Sequence, residues 1–236
     1  MNIAAIIPAR GGSKGIKRKN LVNLNGKPLI AHSIEQALSS KLIDRVIVST
    51  EDEEIMNISK QYGAEVPFTR PEELAEDHVL DLPVFEHALQ YLTSIDKYEP
   101  EIIVHLRPTA PYRKIQWIDE AIDLLIKSNH SDSVRSVSSP NQHPYRVFTI
   151  NNEGYLDPVM KHLHPTPFLL RRQDLPPMYY YNCVIDITKP STIINKKSMT
   201  GDKILPYIIP SDEAIDIDSY RDLDIAKLFF ENKYGV

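Results

Sequence analysis

Ile3-Ala-Ala-Ile-Ile7, followed at once by Pro8-Ala-Arg-Gly-Gly-Ser-Lys-Gly-Ile-Lys-Arg-Lys-Asn20, is the stretch on which the fold turns. The first part is a short unbroken apolar run, the kind seen in strands covered on both faces. The second is a loop in which Arg10, Lys14, Lys17, Arg18 and Lys19 supply positive charge with no acid among them. Gly11, Gly12 and Gly15 let its backbone turn tightly and bring N–H groups close to an anion. Open α/β sheets bind ligands at the carboxyl edge of their strands, so the pair of features suggests a cradle for several phosphates. The spacing fits neither the P-loop nor the Gly-x-Gly-x-x-Gly dinucleotide fingerprint. On charge and glycine alone, a solvated basic turn stays open as the other reading.

The rest of the first half repeats the strand signal. Arg45–Val48 and Ile102–Leu106 are similar short runs, and Ser133–Val137 is a more polar candidate. Between them, Leu82, Phe85, Leu89 and Leu92 put apolar groups on one helical face, as do Ile115, Ile118, Ile122 and Leu125. Ile55, Ile58 and Tyr62 form a shorter version. This alternation predicts an α/β fold, a mainly parallel sheet flanked by helices. From about residue 138 Pro, His and Tyr become frequent, and Tyr145–Tyr155 reads as a hairpin turning at Asn151–Gly154. The region 140–178 is therefore an insertion that covers a site or meets a partner subunit. Tyr179–Ile187 returns to a strand pattern, and Ser219–Asp222 is a capping box before a helix through Leu223, Ala226 and Phe230.

Size and charge limit the options. A chain of 236 residues suits a single domain, 1–236, with that insertion. The formal net charge of −5 argues against nucleic acid or anionic membrane as partner, so an anionic ligand must be held by local positive charge. Lone Cys183 fits a reducing compartment. No apolar run approaches the roughly 20 residues of a membrane span, and no basic region precedes the first apolar stretch. The expected location is cytoplasmic.

Near the end, Ile215-Asp-Ile-Asp218 alternates so that Asp216 and Asp218 share a face while Ile215 and Ile217 point inward. Adjacent carboxylates repel unless a cation lies between them. Mg²⁺ is bound through one or two carboxylates plus substrate phosphates, so the pair complements a phosphate cradle. A polar turn before a helix is the plainer alternative.

The opening loop with Asn25-Gly-Lys-Pro-Leu-Ile30 resembles the start of the acylneuraminate (CMP-sialic acid) synthetases, a family that includes CMP-legionaminic and CMP-pseudaminic acid synthetases. Val48-Ser-Thr50, Phe68-Thr-Arg-Pro71, Leu106-Arg-Pro-Thr-Ala-Pro-Tyr-Arg113, Asn182 and Asp216-Ile-Asp218 follow in the family's order. The resemblance implies a Rossmann-like nucleotidyltransferase fold with a small dimerisation subdomain, and a homodimer. It implies Mg²⁺-dependent transfer of CMP from CTP to an acidic nonulosonic sugar, with Mn²⁺ as an alternative ion. By the same resemblance Arg10, Gly11, Gly12, Ser13, Lys14 and Lys19 meet the triphosphate, and Asn20 and Arg70 the cytidine portion. Asp216 and Asp218 hold the metal, and Arg10, Lys19 and Asp218 carry the chemistry. Arg171 or Arg172 meets the sugar carboxylate, and Arg107, Thr109, His143 and Asn182 line the sugar pocket. A nucleotidyltransferase for a Kdo-like or other sugar, and a non-catalytic nucleotide-sugar binding relative, are the alternatives.

Three departures bear on the sugar. Arg107 stands where the family commonly has Gln, Tyr180-Tyr-Asn-Cys183 replaces Arg-Pro-Asn-Gly, and Asp77-His-Val-Leu-Asp81 replaces a Ser/Thr-rich stretch near the base pocket. Cys183 reads as a small core residue, Trp117 as helix packing, and His162 with His164 as a surface loop lacking the further ligands a zinc site needs.

Overall fold

A computed structural model describes residues 1–234. In chain order the elements are β1 (Ile3–Pro8), β2 (Asn23–Leu24), β3 (Lys27–Pro28), α1 (Leu29–Leu38), β4 (Arg45–Ser49), α2 (Glu53–Gln61), α3 (Asp81–Ser94) and β5 (Ile102–His105). There follow α4 (Ile115–Lys127), β6 (Ser133–Ser138), β7 (Phe148–Ile150), β8 (Leu156–Pro158), β9 (Tyr180–Thr188), α5 (Pro190–Lys196), β10 (Ile204–Ile208) and α6 (Tyr220–Tyr234). Six strands form one sheet in the order β10-β6-β9-β5-β1-β4. Every pairing is parallel except those of β9, which runs antiparallel to both β5 and β6.

The strand period explains the layering. Along β1, Ile3, Ala5 and Ile7 belong to one apolar cluster, while Ala4 and Ile6 belong to a second on the opposite face. Successive side chains of a strand alternate between faces, so an unbroken apolar run is what a doubly covered central strand requires. The first cluster takes in Ile34 of α1, Ile118 of α4 and Phe230 of α6; the second takes in Phe85 of α3 and Ile193 of α5. The predicted α/β class, a mainly parallel sheet with helices on both faces, is what the chain forms.

Two expectations shift. The hairpin is β7–β8, pairing Phe148 with Pro158 around Asn151–Tyr155, three residues later than predicted at either end. Tyr145 instead lies in a 3-10 turn whose entry is capped by the His143 ring. Cys183 is not a regular strand residue either. It is half-buried, has φ +61°, and lies where the β6–β9 register shifts. The capping box forms as read: the Asp222 carboxylate accepts from the Ser219 N–H at 2.8 Å, and the Asp222 N–H donates to the Ser219 hydroxyl at 3.4 Å.

Candidate active site

The carboxyl ends of β1 and β5 open on a cleft of about 370 Å³ lined by Arg10, Ser13, Lys14, Lys19, Asn20 and Arg70, together with Arg107, Thr109 and Asp218. The loop after β1 reaches the aspartate segment across more than half of the sequence. A Cβ on Gly15 would lie 2.3 Å from the Asp218 carbonyl oxygen, so only glycine permits this approach. Lys19 clamps the same segment, donating to the Ile217 carbonyl at 3.1 Å and to Asp218 Oδ1 at 2.9 Å. From the other side, the Ile217 N–H donates to the Thr109 carbonyl at 2.8 Å.

Asp216 and Asp218 differ in surroundings. Ile217 between them is buried in the core, as the alternation predicts. Asp218 is exposed, whereas Asp216 Oδ1 is buried with no hydrogen-bond partner. Burial raises the Asp216 carboxyl above its ordinary range, against the pull of a Thr109 hydrogen bond, and Asp218 adds to the rise. A buried, unpartnered carboxylate oxygen beside a second, exposed carboxylate suits a divalent cation. Among the described residues no cluster of three or more His, Cys, Asp or Glu side chains surrounds it. That donor set fits an ion completed by substrate oxygens and water, the habit of Mg²⁺, rather than a closed protein cage.

The other loop cations divide. Arg10 and Lys14 both pair with Asp77, each at 2.7 Å. Arg18 turns away to the start of α2, where it pairs with Asp52 and Glu54, so it adds nothing to the cleft wall. Gly11 packs close to Asp52 and gives its N–H to Glu51 Oε1 at 2.6 Å; Gly12 is open to solvent. The Asn20 amide donates to the Arg10 carbonyl at 2.9 Å, which fixes the loop's entry and exit together. Arg70 is buried and donates to the Ser49 hydroxyl at 3.1 Å. Burial lowers its guanidinium to about 10, so it remains charged at neutral pH.

Arg107 follows β5 and takes Asp81, Asp186 and Tyr181 as partners. Its backbone is held by Arg113, whose buried guanidinium donates to the Arg107 carbonyl at 2.6 Å and to the Val184 carbonyl of β9 at 2.5 Å. Four predicted residues lie elsewhere. Asn182 is buried in the sheet, bonded to Ser136 and Ser138. His143 and Arg172 line a separate pocket within the 140–178 insertion, and exposed Arg171 pairs with Asp174 there. Asp77, Asp81 and Asp186 were not singled out from sequence as site residues. The departure at 77–81 is the signal for Asp77 and Asp81, whereas nothing local marks Asp186 in the strand-like run 179–187; all three meet Arg10 or Arg107 only in the fold.

The cytidylyltransferase family model matches residues 4–200. The chain is 31% identical over 233 residues to the pseudaminic acid cytidylyltransferase of Campylobacter jejuni, covering 98% of this chain and 97% of that protein. It is 34% identical over 238 residues to the CMP-N,N'-diacetyllegionaminic acid synthase of Legionella pneumophila, with the same coverages, 98% and 97%. Among solved structures, CMP:2-keto-3-deoxy-manno-octonic acid synthetase complexed with CTP shares the fold, with TM-score 0.73 over 99% of this chain and 100% of that one at 16% identity. With a glycine-dependent cradle meeting an aspartate pair at the sheet edge, and with these relatives matched nearly end to end, the chain belongs to the cytidylyltransferase family and is a nucleotidyltransferase.

Proposed function

We propose that the protein transfers CMP from CTP to the anomeric hydroxyl of a sialic-acid-like nonulosonic acid, releasing pyrophosphate. The observation that carries this is the junction of Gly15 and Lys19 with Asp218, which sets a phosphate cradle against a carboxylate pair. The names of the relatives, which act on pseudaminic and legionaminic acids, supply the acceptor class.

Arg10 and Lys14 would exchange Asp77 for phosphate oxygens, an anion-for-anion replacement that keeps both cations paired. Lys19 and Arg70 flank the same space, and Arg70 with Asn20 would meet the cytidine portion. Asp216 and Asp218 would hold Mg²⁺, which when bound neutralises phosphate charge and polarises the phosphorus centre. In-line displacement at the α-phosphate needs little covalent help from the protein. Its rate comes from holding the acceptor oxygen in line and from fixed positive charge where negative charge develops. The proposal extends to a cytoplasmic homodimer.

The test is pyrophosphate release from each of the four ribonucleoside triphosphates with a panel of nonulosonic acids, with and without a chelator. Release with CTP, abolished by the chelator and restored by Mg²⁺, supports the reading. Release with another nucleotide in preference to CTP, or none with any acid, rejects it.

A further inference from the structure

The loop after β1 is held from behind as well as from the cleft. Ile16, at its middle, is buried in the core, and the Ala9 N–H donates to the Ser49 carbonyl at 3.0 Å. The Gly11 N–H is taken by Glu51 Oε1 at 2.6 Å. Arg18 completes the set. Its guanidinium grips both oxygens of Asp52, Nη1 on Oδ2 and Nη2 on Oδ1 at 2.9 Å, and Nη2 also reaches Glu54 Oε2 at 2.5 Å. A two-pronged arginine–carboxylate pair fixes orientation as well as distance. The Arg18 hydrogen bond, working against burial, holds the Asp52 carboxyl below its ordinary range.

The mount for this pair is built into the sheet. Asp52 Oδ1 also accepts from the Ile55 N–H at 3.0 Å, which caps α2, and the Asp52 N–H donates to the Thr50 hydroxyl at 3.1 Å. Ser49 and Thr50, where β4 ends, are fully buried and carry Arg70 too. The Thr50 carbonyl accepts from the Arg70 N–H at 2.9 Å, and the Ser49 hydroxyl accepts from Arg70 Nε at 3.1 Å. One junction, 49–52, thus holds both the phosphate loop and Arg70.

The loop pivots at Arg18. Its backbone is left-handed, φ +55° and ψ +37°, a conformation that a Cβ disfavours. A 3-10 turn, Lys19–Leu21, starts directly after it, and the Leu21 N–H donates to the Arg18 carbonyl at 2.8 Å. Across this pivot the Arg18 side chain runs back to α2, while the Lys19 side chain runs to Asp218 in the cleft. Glycine is the residue such a backbone prefers, yet arginine stands there. The backbone does not account for the side chain; its grip on Asp52 does.

Resting on the cytidylyl-transfer reading, we propose that Arg18 is a positioning residue for the nucleotide: with Asp52 it anchors the pivot of the phosphate loop and presets Arg10, Lys14 and Lys19 for the triphosphate. Arg18 acts through the loop, from the side turned away from the cleft. A loop already held in its binding conformation gives up less freedom when the ligand arrives, so the anchor shows in nucleotide affinity rather than in the acceptor. For Asp52, charge alone points the other way. It is a negative charge behind a phosphate site, and its removal would tighten CTP if only Coulomb attraction mattered. Loss of an anchor loosens CTP instead, so the direction of the change separates the two.

The experiment measures CTP affinity by calorimetry with Mg²⁺ and no acceptor, and then KM for CTP and for the best nonulosonic acid of the panel. The variants are Arg18→Gly, Arg18→Gln, Asp52→Asn, and Arg18→Gly combined with Asp52→Asn. Glycine at 18 keeps the left-handed backbone and removes only the grip, and asparagine at 52 still caps α2. Each single variant is expected to weaken CTP about tenfold, the worth of a charge-assisted hydrogen bond. Both kcat and KM for the acid stay within about threefold of wild type, a split that general loss of folded protein does not give. The double variant is expected to bind CTP no more weakly than the singles, because the same anchor is lost once. Hydrogen exchange across residues 9–20 quickens in Arg18→Gly while Tm holds. If Arg18→Gln fails to fold, Arg18→Gly and Asp52→Asn decide. CTP bound as tightly by Arg18→Gly as by the wild type, tighter binding by Asp52→Asn, or penalties that add in the double variant overturns the proposal and leaves cytidylyl transfer standing. Absence of CTP binding by the wild type rejects the transfer reading itself, and the proposal with it.

Discussion

Cys183, at φ +61°, sits in the left-handed region that a Cβ disfavours by roughly 1–2 kcal/mol. The bulge in the β6–β9 pairing requires that conformation, so the side chain is tolerated there rather than selected for its packing. Replacing it should separate strain from burial. Cys183→Gly is expected to be more stable than Cys183→Ala by about 1 kcal/mol in urea unfolding, since both lose the thiol and only glycine relieves the backbone. Equal stabilities would show that the left-handed conformation costs nothing. Gly15 presents the opposite case. Gly15→Ala drives a methyl into the Asp218 carbonyl, and separation of loop and carboxylate is expected to lower kcat/KM about 100-fold. An unchanged rate would break the link between them. The loop was legible because its glycines and cations are contiguous. Gly15's partner was not, because Asp218 lies far along the chain and nothing local marks the contact.

At the scale of elements, Asp132 anchors the edge of the sheet. Its Oδ2 accepts from the Asp202 N–H at 2.9 Å, the Lys203 N–H at 3.1 Å and the Lys196 ammonium at 2.8 Å. Gly201, at φ +66°, lets the backbone close on that carboxylate. The Lys196 hydrogen bond, with the backbone donors, holds the Asp132 carboxyl down at about 2, against 3.8 for a free side chain. A depressed folded-state value means the stabilisation is complete above the unfolded value and is lost as pH falls through the folded one. The Tm gap between wild type and Asp132→Asn should therefore be constant from pH 7 to about 5 and close between about 4 and 2. A gap independent of pH would show that the carboxylate's charge does not tie β6, α5 and β10 together.

The same scale shows what periodicity can reveal. α3 and α4 each bury one stripe, so their spacing is plain in sequence. The first six residues of α1, Leu29 through Ile34, are all buried, so that stretch reads as a continuous buried run rather than as one apolar stripe. The direction of β9 was equally invisible, because an apolar run reads the same whichever way it enters a sheet. Tyr145 suggests strand in the sequence, whereas Pro144 and the His143 cap start a 3-10 turn there, and the hairpin begins three residues later at Phe148.

For the whole molecule, the insertion is the part left unexplained by a lone chain. Ile150, Tyr155, Leu156, Leu163 and Leu169 are all more than half exposed on it, an apolar concentration that monomers rarely present to water. The proposed homodimer would cover this surface. Light scattering at micromolar concentration is expected to give twice the chain mass for the wild type and a single chain for Ile150→Asp combined with Leu156→Asp. A wild-type monomer would contradict that assembly. No helix among the described residues is long and apolar enough to cross a membrane.

Cytidylyl transfer to an acidic sugar is tested most directly by the mass of the product formed from CTP, Mg²⁺ and individual nonulosonic acids. The expected species is the acid joined to CMP, formed together with pyrophosphate and missing in Asp218→Ala. Unaltered acid and CTP after prolonged incubation with every acid, or a product carrying a nucleotide other than CMP, would contradict it.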